Sequence, residues 1–497
     1  SSTGSSQTGN WSKASKIRES FNPTLLSFST LFFLIKLKEE PAYCHMNWER
    51  LREKILEENY PSEQELQKIE GLYTEISGFI TGEYGLETHF AGSAGRETCM
   101  AGDKDIDLFV LFPEDTERKE LEEKGLEIGK KTFENFNADY HVEYAEHPYT
   151  KGHIKGVEVE IVPCFDTDPG DIRSAVDRTP YHSRWARNNL DEEQRKEAVI
   201  LKKFLKTQGL YGSSLRRRGF SGYLCEILIS EYEDFRSLLA DAEDWPEQKV
   251  IDPENHHEQG LPEELEQKFS EDNLVVIDPV DPERNVAAVL STENYAEFIY
   301  EAWKFNTEAG INFFRESGPE YDRFELEQEV KDRGDFLVLE FESPEEVDDV
   351  VYPQMRKALS RLKSELEKND FRIYESGFHV DGEEARIFFE LDQHLPSVEE
   401  LKGPRVFHGR DHIRQFTSKY DNTFVQGDRL VAKTEREYTD ARSLLKGFIS
   451  RDRGELKEAG IPNYVAEKME EARFSEVIVE DDKWLNYLAE KLHVIDQ

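Results

Sequence analysis

A chain of 497 residues with 37% hydrophobic content has room for about three domains with real cores. Lys+Arg 63 against Asp+Glu 104 gives a net charge of −41, which excludes a uniformly basic surface that would coat a polyanion without selection. The four cysteines, Cys44, Cys99, Cys164 and Cys225, lack metal-type spacing, which argues against a zinc site or a disulfide framework and points to a reducing cytoplasmic setting.

The first 45 residues differ from the rest. A Ser-rich start leads into Leu25 to Ile35, an eleven-residue, mostly apolar run that is too short to span a bilayer, so no membrane partner is expected. Lys13, Lys16 and Arg18 ahead of that run resemble the charged region of a signal peptide, but Cys44-His45 makes no convincing cleavage site. The native start is expected at Met46, with residues 1–45 a non-native or disordered extension. From Trp48 to Phe79, apolar spacing predicts helices.

The run from Ala91 to Phe112 carries the chemistry. Gly92-Ser93 starts a turn whose backbone N–H groups and hydroxyl suit a phosphate at a helix N-terminus, and Arg96 lies one turn further along. Leu108 to Phe112 is continuously apolar and predicts a buried strand, entered at its beginning by Asp105 and Asp107. Side chains alternate across a strand, so these two carboxylates share a face while Ile106 points into the opposite layer. Two anions this close repel unless a cation sits between them, and oxygen-only ligands with open positions suit Mg²⁺ carrying substrate phosphates. That is half of a two-metal site.

A third carboxylate is expected from a neighbouring strand. Val157 to Cys164 begins with strict alternation, placing Glu158 and Glu160 on one face and Val157, Val159 and Ile161 on the other. Glu160, nearer the apolar end, is the candidate metal ligand, with Glu158 as the alternative and a solvent-facing pair on an edge strand as the plain reading.

Further along, Arg195 to Leu239 reads as helical with breaks at Gly209 and Gly219, and Glu243 to Asn273, rich in Pro, Glu and His, as an exposed excursion. Asp335 to Glu342 predicts a strand, Pro344 to Asp370 a long charged helix, and Arg372 to Tyr374 and Ala385 to Leu391 further strands. Gly427 to Thr439 adds a strand, and Ala441 to Ile449 with Tyr464 to Phe474 suggest terminal helices. The β-α-β-β order fits an α+β sheet with helices on one face, common among RNA-binding domains.

Taken together, Gly92-Ser93, Arg96 and Asp105-Ile-Asp107 resemble the archaeal, class I CCA-adding enzymes of the nucleotidyltransferase superfamily. Ser174 to His182, Arg218 to Glu226 and Asp278 to Ala287 resemble further stretches of that family in the same order. The resemblance runs from about residue 46 to the C-terminus and is strongest before about residue 310. It implies an α+β multidomain fold: a polymerase-beta-like nucleotidyltransferase catalytic domain at 46–180, a mostly α nucleotide-pocket domain at 181–320 and α+β RNA-binding domains at 321–497.

By the resemblance, Ser93 and Arg96 contact the triphosphate, and Asp105, Asp107 and Glu160 hold Mg²⁺. His182, Lys202 and Tyr211 contact nucleotide, and Arg284 discriminates the base. Glu160 departs from the family's usual Asp, which affects metal geometry and rate, and Lys202 is fixed only by its nine-residue offset from Tyr211 because Lys203 follows it. The implied partners are tRNA, CTP and ATP, with a homodimer compatible but not required. Two alternatives stay open: a poly(A) polymerase or oligoadenylate synthetase of the same fold, or a non-catalytic RNA-binding module with a decayed site.

Against that expectation the charge is anomalous. Two readings compete: the chain does not bind nucleic acid, or it works in high salt, where a hydrated acidic surface keeps a protein soluble; the second is favoured and requires basic residues concentrated on one face. Arg216-Arg-Arg218, Lys202, Lys203, Lys206 and Arg284 are the candidates for it, Arg216-Arg-Arg218 being either an RNA phosphate contact or a solvated turn.

Overall fold

The computed structural model describes residues 48–103, 105–144, 147–167, 176–315 and 321–494. The expected extension at 1–45, its Leu25–Ile35 run, the expected start at Met46 and Ser174-Ala175 lie outside the described residues. The chain divides into two compact units, 1–52 and 53–497. The first is described only through the opening of α1 (Trp48–Asn59), and α2 and every later element belong to the second.

Helix α2 (Glu63–Tyr84) begins at a capping box, in which Ser62 accepts from the Glu65 amide while the Glu65 side chain returns to Ser62. It ends at Gly85, whose φ of 69° is the left-handed conformation that glycine adopts freely. Its buried stripe, Ile69, Leu72, Ile76 and Ile80, packs on one face of a five-stranded sheet. That sheet contains β1 (Thr88–Phe90), β2 (Asp105–Pro113), β3 (Tyr140–Tyr144), β4 (Pro148–Ile154) and β5 (Val157–Asp166) in the order β1-β2-β5-β4-β3. Between β1 and β2 lies α3 (Gly92–Gly95), a single turn, and after β2 comes α4 (Arg118–Asn135).

Strands β2 and β5 run parallel in the middle of the sheet, and alternation sorts their side chains as expected. Ile106, Leu108, Val110 and Phe112 join Val157, Val159 and Ile161 in the core under α2 and α4, while Phe109, Leu111, Val162 and Cys164 form a smaller cluster with Ala91. Asp105, Asp107, Glu158 and Glu160 therefore belong to this second face, where a single helical turn covers the sheet beside Ala91.

The middle of the chain is mostly helical: α5 (Thr179–Asn189), α6 (Glu192–Thr207), α7 (Gly222–Tyr232) and α8 (Phe235–Ala242). The stretch read as an exposed excursion is partly built into the fold. Here β6 (Lys249–Ile251) pairs in parallel with β7 (Leu274–Asp278), and α9 (Glu263–Lys268) sets Leu265 and Phe269 against Val275 and Ile277. Pro, Glu and His dominate its composition and hide these few well-placed apolar residues. Strand β8 (Asp281–Asn285) and α10 (Thr292–Thr307) complete the region, and Phe204, Phe235 and Phe305 meet edge-on in its core.

The C-terminal part opens with α11 (Arg323–Arg333), followed by β9 (Asp335–Glu342), α12 (Asp348–Lys368), β10 (Ile373–Asp381) and β11 (Glu384–Leu391), the β-α-β-β order expected. A second, three-stranded sheet comprises β12 (Val398–Arg405), β13 (Thr423–Gln426) and β14 (Arg429–Glu435), with α13 (Arg410–Lys419) between its first two strands. Only β14 was evident in the sequence. Then come α14 (Ala441–Ile449), α15 (Arg453–Glu458), α16 (Asn463–Met469), β15 (Arg473–Ser475), which joins the larger sheet beside β9, and α17 (Asp482–Lys491). Among the described residues no helix is long and apolar enough to cross a membrane.

Candidate active site

The parallel register sets Asp105 opposite Glu158 and Asp107 opposite Glu160. Asp107 is the more enclosed of the two aspartates. Burial, and then the Glu160 carboxylate, push its pKa up to about 6, with Asp105 adding to the rise and Arg96 opposing it. Burial and Glu158 raise Asp105 as well.

The Gly92 turn sits directly on this pair. Gly92 has φ +66°, and a Cβ built there would lie 1.8 Å from Asp107 Oδ2, so both backbone conformation and space demand glycine. The Ala91 N–H donates to the Asp107 carbonyl at 2.9 Å, tying turn and strand together. Ser93, inside α3, is thus held beside the carboxylates. Gly95 is equally confined, since a Cβ would approach the Phe90 carbonyl oxygen at 2.6 Å.

Lys151, on β4, enters the same face. Its Nζ donates to Glu158 at 2.7 Å and to Glu160 at 2.8 Å; burial opposes the ammonium charge, but the two carboxylates outweigh it and its pKa rises. Among the described residues no three His, Cys, Asp or Glu side chains converge closely enough to hold a metal ion as they stand. The donor chemistry nonetheless suits a hard divalent cation: carboxylate oxygens only, with two aspartates whose ionisation is held back by burial and mutual repulsion.

Arg96 and Lys202 meet on a residue the sequence reading left aside. Glu226 in α7 is fully buried; it accepts from Arg96 Nε at 2.7 Å, from Lys202 Nζ at 3.0 Å and from the Thr98 hydroxyl. Burial alone would raise its pKa, but Arg96 and Lys202 overcome that and bring it down to about 2. Lys202 also donates to the Thr98 carbonyl and hydroxyl, both at 2.9 Å, and Arg96 reaches the buried Ser183 hydroxyl at 3.4 Å.

Lys202 is therefore a corrected expectation in one respect. It is 1% exposed and cannot belong to a basic surface, because the long side chain runs inward to satisfy Glu226. Tyr211 stands close by: a Cβ at Gly222 would lie 3.1 Å from its hydroxyl and 3.6 Å from Lys202 Nζ. Burial raises the Tyr211 pKa.

His182 and Arg284 meet on a second buried acid. Asp278 is fully buried and accepts from Arg284 Nη1 at 2.7 Å, lies 2.9 Å from His182 Nε2, and takes the Val280 N–H at 3.1 Å. Burial works against its charge, but His182 and these neighbours outweigh it and lower its pKa. The His182 ring stacks on Tyr223 at 4.1 Å. Of the nine expected residues, Asp105, Asp107, Glu160 and Ser93 thus gather on one sheet face; Arg96, Lys202 and Tyr211 gather at Glu226; His182 and Arg284 gather at Asp278.

Sequence reasoning missed Lys151, Thr98, Ser183, Tyr223 and the two organising acids. Glu226 carried a signal: a lone carboxylate between Cys225 and Ile227, in the apolar stretch of its helix, needs a buried cation.

Residues 83–182, which carry the carboxylate strands and the Gly92 turn, match the model of a nucleotidyltransferase domain, and this class of enzyme is what the fold and site define. Residues 196–315 match the second domain of tRNA nucleotidyltransferases, and residues 333–472 match the C-terminal domain of CCA-adding enzymes. The chain belongs to the CCA-adding enzyme family. It is 36% identical to the CCA-adding enzyme of Methanocaldococcus jannaschii over 427 residues, 84% of this chain and 93% of that protein. With the enzyme of Haloarcula marismortui it shares 38% identity over 387 residues, 73% of this chain and 80% of that protein. With that of Thermococcus gammatolerans the figure is 36% over 462 residues, 88% of this chain and 99% of that protein.

Proposed function

We propose that this chain, working in the cytoplasm, adds C, C and then A to the 3′ end of tRNA from CTP and ATP without a nucleic-acid template. The observation that carries the reading is the Gly92 turn seated on the Asp107 carboxylate, which joins a phosphate-binding turn to paired acids. Asp105, Asp107 and Glu160 would hold two Mg²⁺ ions. Bound there, Mg²⁺ supplies a lowered pKa at the tRNA 3′-hydroxyl and charge neutralisation at the departing pyrophosphate.

The remaining work falls to the chain's own groups. Ser93 and the amides around it bind the triphosphate tail. Arg96 and Lys202, anchored on Glu226, brace the Thr98 end of that turn and keep positive charge behind it, with Tyr211 closing the same corner. Arg284, oriented by Asp278 next to His182, presents its remaining planar donors to the base edge, which is how CTP and ATP are told apart, and His182 contacts the nucleotide beside it. The C-terminal domains follow the tRNA by backbone shape.

The test is extension of a tRNA lacking its C-C-A, with products resolved on a sequencing gel in KCl. CTP and ATP together give three added nucleotides, CTP alone stops at two, and Asp107→Ala abolishes both. A long A ladder would instead make the chain a polymerase, and near wild-type extension by Asp107→Ala would remove the carboxylate assignment.

A further inference from the structure

Arg284 stands on a hairpin that holds itself together weakly. Strands β7 and β8 pair Ile277 with Asn285 and Asp278 with Asp281, with an irregularity between the two pairs. Pro279 and Pro282 have no N–H to give to a ladder. The buried Asn285 pins the root: its side chain donates to the Leu274 carbonyl at 2.9 Å and accepts from the Val276 N–H at 2.8 Å. Towards the tip, support comes from outside the hairpin.

Most of that support belongs to the stretch between β6 and β7. His256 Nε2 donates to the Pro279 carbonyl at 3.1 Å, His257 Nε2 donates to the Pro282 carbonyl at 2.9 Å, and Lys268 Nζ donates to the Glu283 carbonyl at 2.6 Å. A carbonyl only accepts, so these contacts require a proton on each Nε2. From the α5 side, Arg178 holds Asp281 at 2.9 Å. The two histidines are themselves fixed by one carboxylate: Asp252 takes the His256 N–H on Oδ1 at 3.1 Å and the His257 N–H on Oδ2 at 2.8 Å. Asn255, just before them, has φ +54°, a left-handed conformation that asparagine tolerates better than most residues.

The same turn reaches the opposite wall of the nucleotide pocket. Glu254 accepts from the Trp185 indole N–H, Trp185 meets Tyr223 edge-on at 6.0 Å, and Tyr223 carries the stacked His182 ring. Residues 252–257 thus grip the Arg284 hairpin with one set of side chains and the His182 stack with another. A guanidinium that selects a base edge must be held to within about 0.5 Å, which an irregular hairpin with two prolines does not supply alone. We infer that the 252–257 turn, assisted by Lys268, is a positioning element for nucleotide choice: it sets the Arg284 hairpin against the His182 stack and so fixes the discrimination between CTP and ATP. The inference rests on the base-choice role proposed above for Arg284, and it gives a function to a stretch whose composition reads as an exposed excursion.

The test uses the full chain carrying His256→Ala with His257→Ala, and the matching pair His256→Gln with His257→Gln, since a glutamine amide places an N–H at the same reach as Nε2. Single-nucleotide addition to tRNA lacking its C-C-A gives kcat and KM for CTP and for ATP, and hydrogen exchange follows the Val280, Glu283 and Arg284 amides. In the alanine pair the CTP-to-ATP ratio of kcat/KM falls about tenfold, mostly through KM, while kcat for CTP and the KM for tRNA stay within about threefold and the hairpin amides exchange faster. The glutamine pair returns the ratio to within about twofold of wild type. Lys268→Met gives a smaller loss in the same direction. Faster exchange with an unchanged ratio overturns the inference, as does a fall in kcat for both nucleotides alike, which would make the turn a general support of the fold. If Arg284→Ala also leaves the ratio unchanged, the base-choice reading fails with it; if Arg284→Ala lowers the ratio and the alanine pair does not, only the positioning role fails. Should wild type bind both nucleotides and extend no tRNA, the proposed reaction is refuted, and the same tenfold loss in the ratio of CTP to ATP dissociation constants upholds the positioning role.

Discussion

Glu226→Gln is the most informative single perturbation, because it removes one charge that two buried cations share. The structure gives the size of the effect by two routes. The Glu226 pKa falls from 4.5 to about 2, and roughly 2.5 units at 1.36 kcal/mol each is about 3 kcal/mol of stabilisation of the ionised form. Independently, breaking a buried pair by removing one partner costs about 3–5 kcal/mol, since the stranded cations keep their desolvation penalty. Glutamine can accept from one of Arg96, Lys202 and Thr98, but its amide hydrogens meet the donors of the others. A carboxylate with a depressed folded-state pKa stabilises above its unfolded pKa, and that contribution is lost as pH falls through the folded value. The gap between wild type and variant is therefore about 3 kcal/mol at pH 7 and closes between about pH 4.5 and pH 2. Urea unfolding followed by hydrogen exchange at the α6 and α7 amides measures it locally, which matters in a chain of several domains. Lys202→Met should cost less in the variant than in wild type, because the charge it served has gone. A loss below about 1 kcal/mol at pH 7, a gap that persists at pH 2, or simple additivity with Lys202→Met would refute the account.

Asp107→Asn separates stability from catalysis. Its raised folded-state pKa means that the ionised form costs stability as pH rises from 3.8 to about 6, so the variant should melt higher at pH 7, by up to about 3 kcal/mol, while losing nucleotide transfer; a lower melting temperature would contradict the electrostatics. Gly92→Ala combines a left-handed backbone with a Cβ at 1.8 Å from Asp107 Oδ2, and should lose transfer and at least about 1 kcal/mol of stability; retained activity would show that the turn does not need to touch the carboxylate. Asp278→Asn frees His182 and Arg284 from their shared acceptor and should raise misincorporation of ATP for CTP and the reverse about tenfold more than it lowers kcat, read from single-nucleotide extension; unchanged selectivity would disconnect the Asp278 cluster from base choice.

The β2 and β5 strands were legible because their signals are local. Alternation of Asp105, Ile106 and Asp107, and of Glu158, Val159 and Glu160, fixes which face each side chain takes, and two strands with the same alternation align their acids when they pair. What the sequence does not carry is which charge answers which. Lys151 lies on β4, and nothing in its own surroundings announces that it will reach Glu158 and Glu160 on β5. The same holds for β12, whose sequence is mostly polar and contains Gly403-Pro404, and for β13, only four residues long, so their pairing to β14 appears only in three dimensions.

Charge shows the same division between local and tertiary information. The fold distributes five of the candidates for a basic face into three different electrostatic roles. Lys202 goes inward to Glu226, Arg284 turns to Asp278, and Arg216, Arg217 and Arg218 line a groove beside β10 with Arg356, a residue more than a hundred positions away. Each role has its own dependence on salt. Buried pairs such as Lys202–Glu226 are little screened, whereas any contact of exposed cations to a polyanion weakens as ionic strength rises. An enzyme of this charge can therefore keep its nucleotide site intact in strong salt while its grip on RNA becomes the salt-sensitive step, so rising KCl should raise the KM for tRNA well before it changes the KM for CTP.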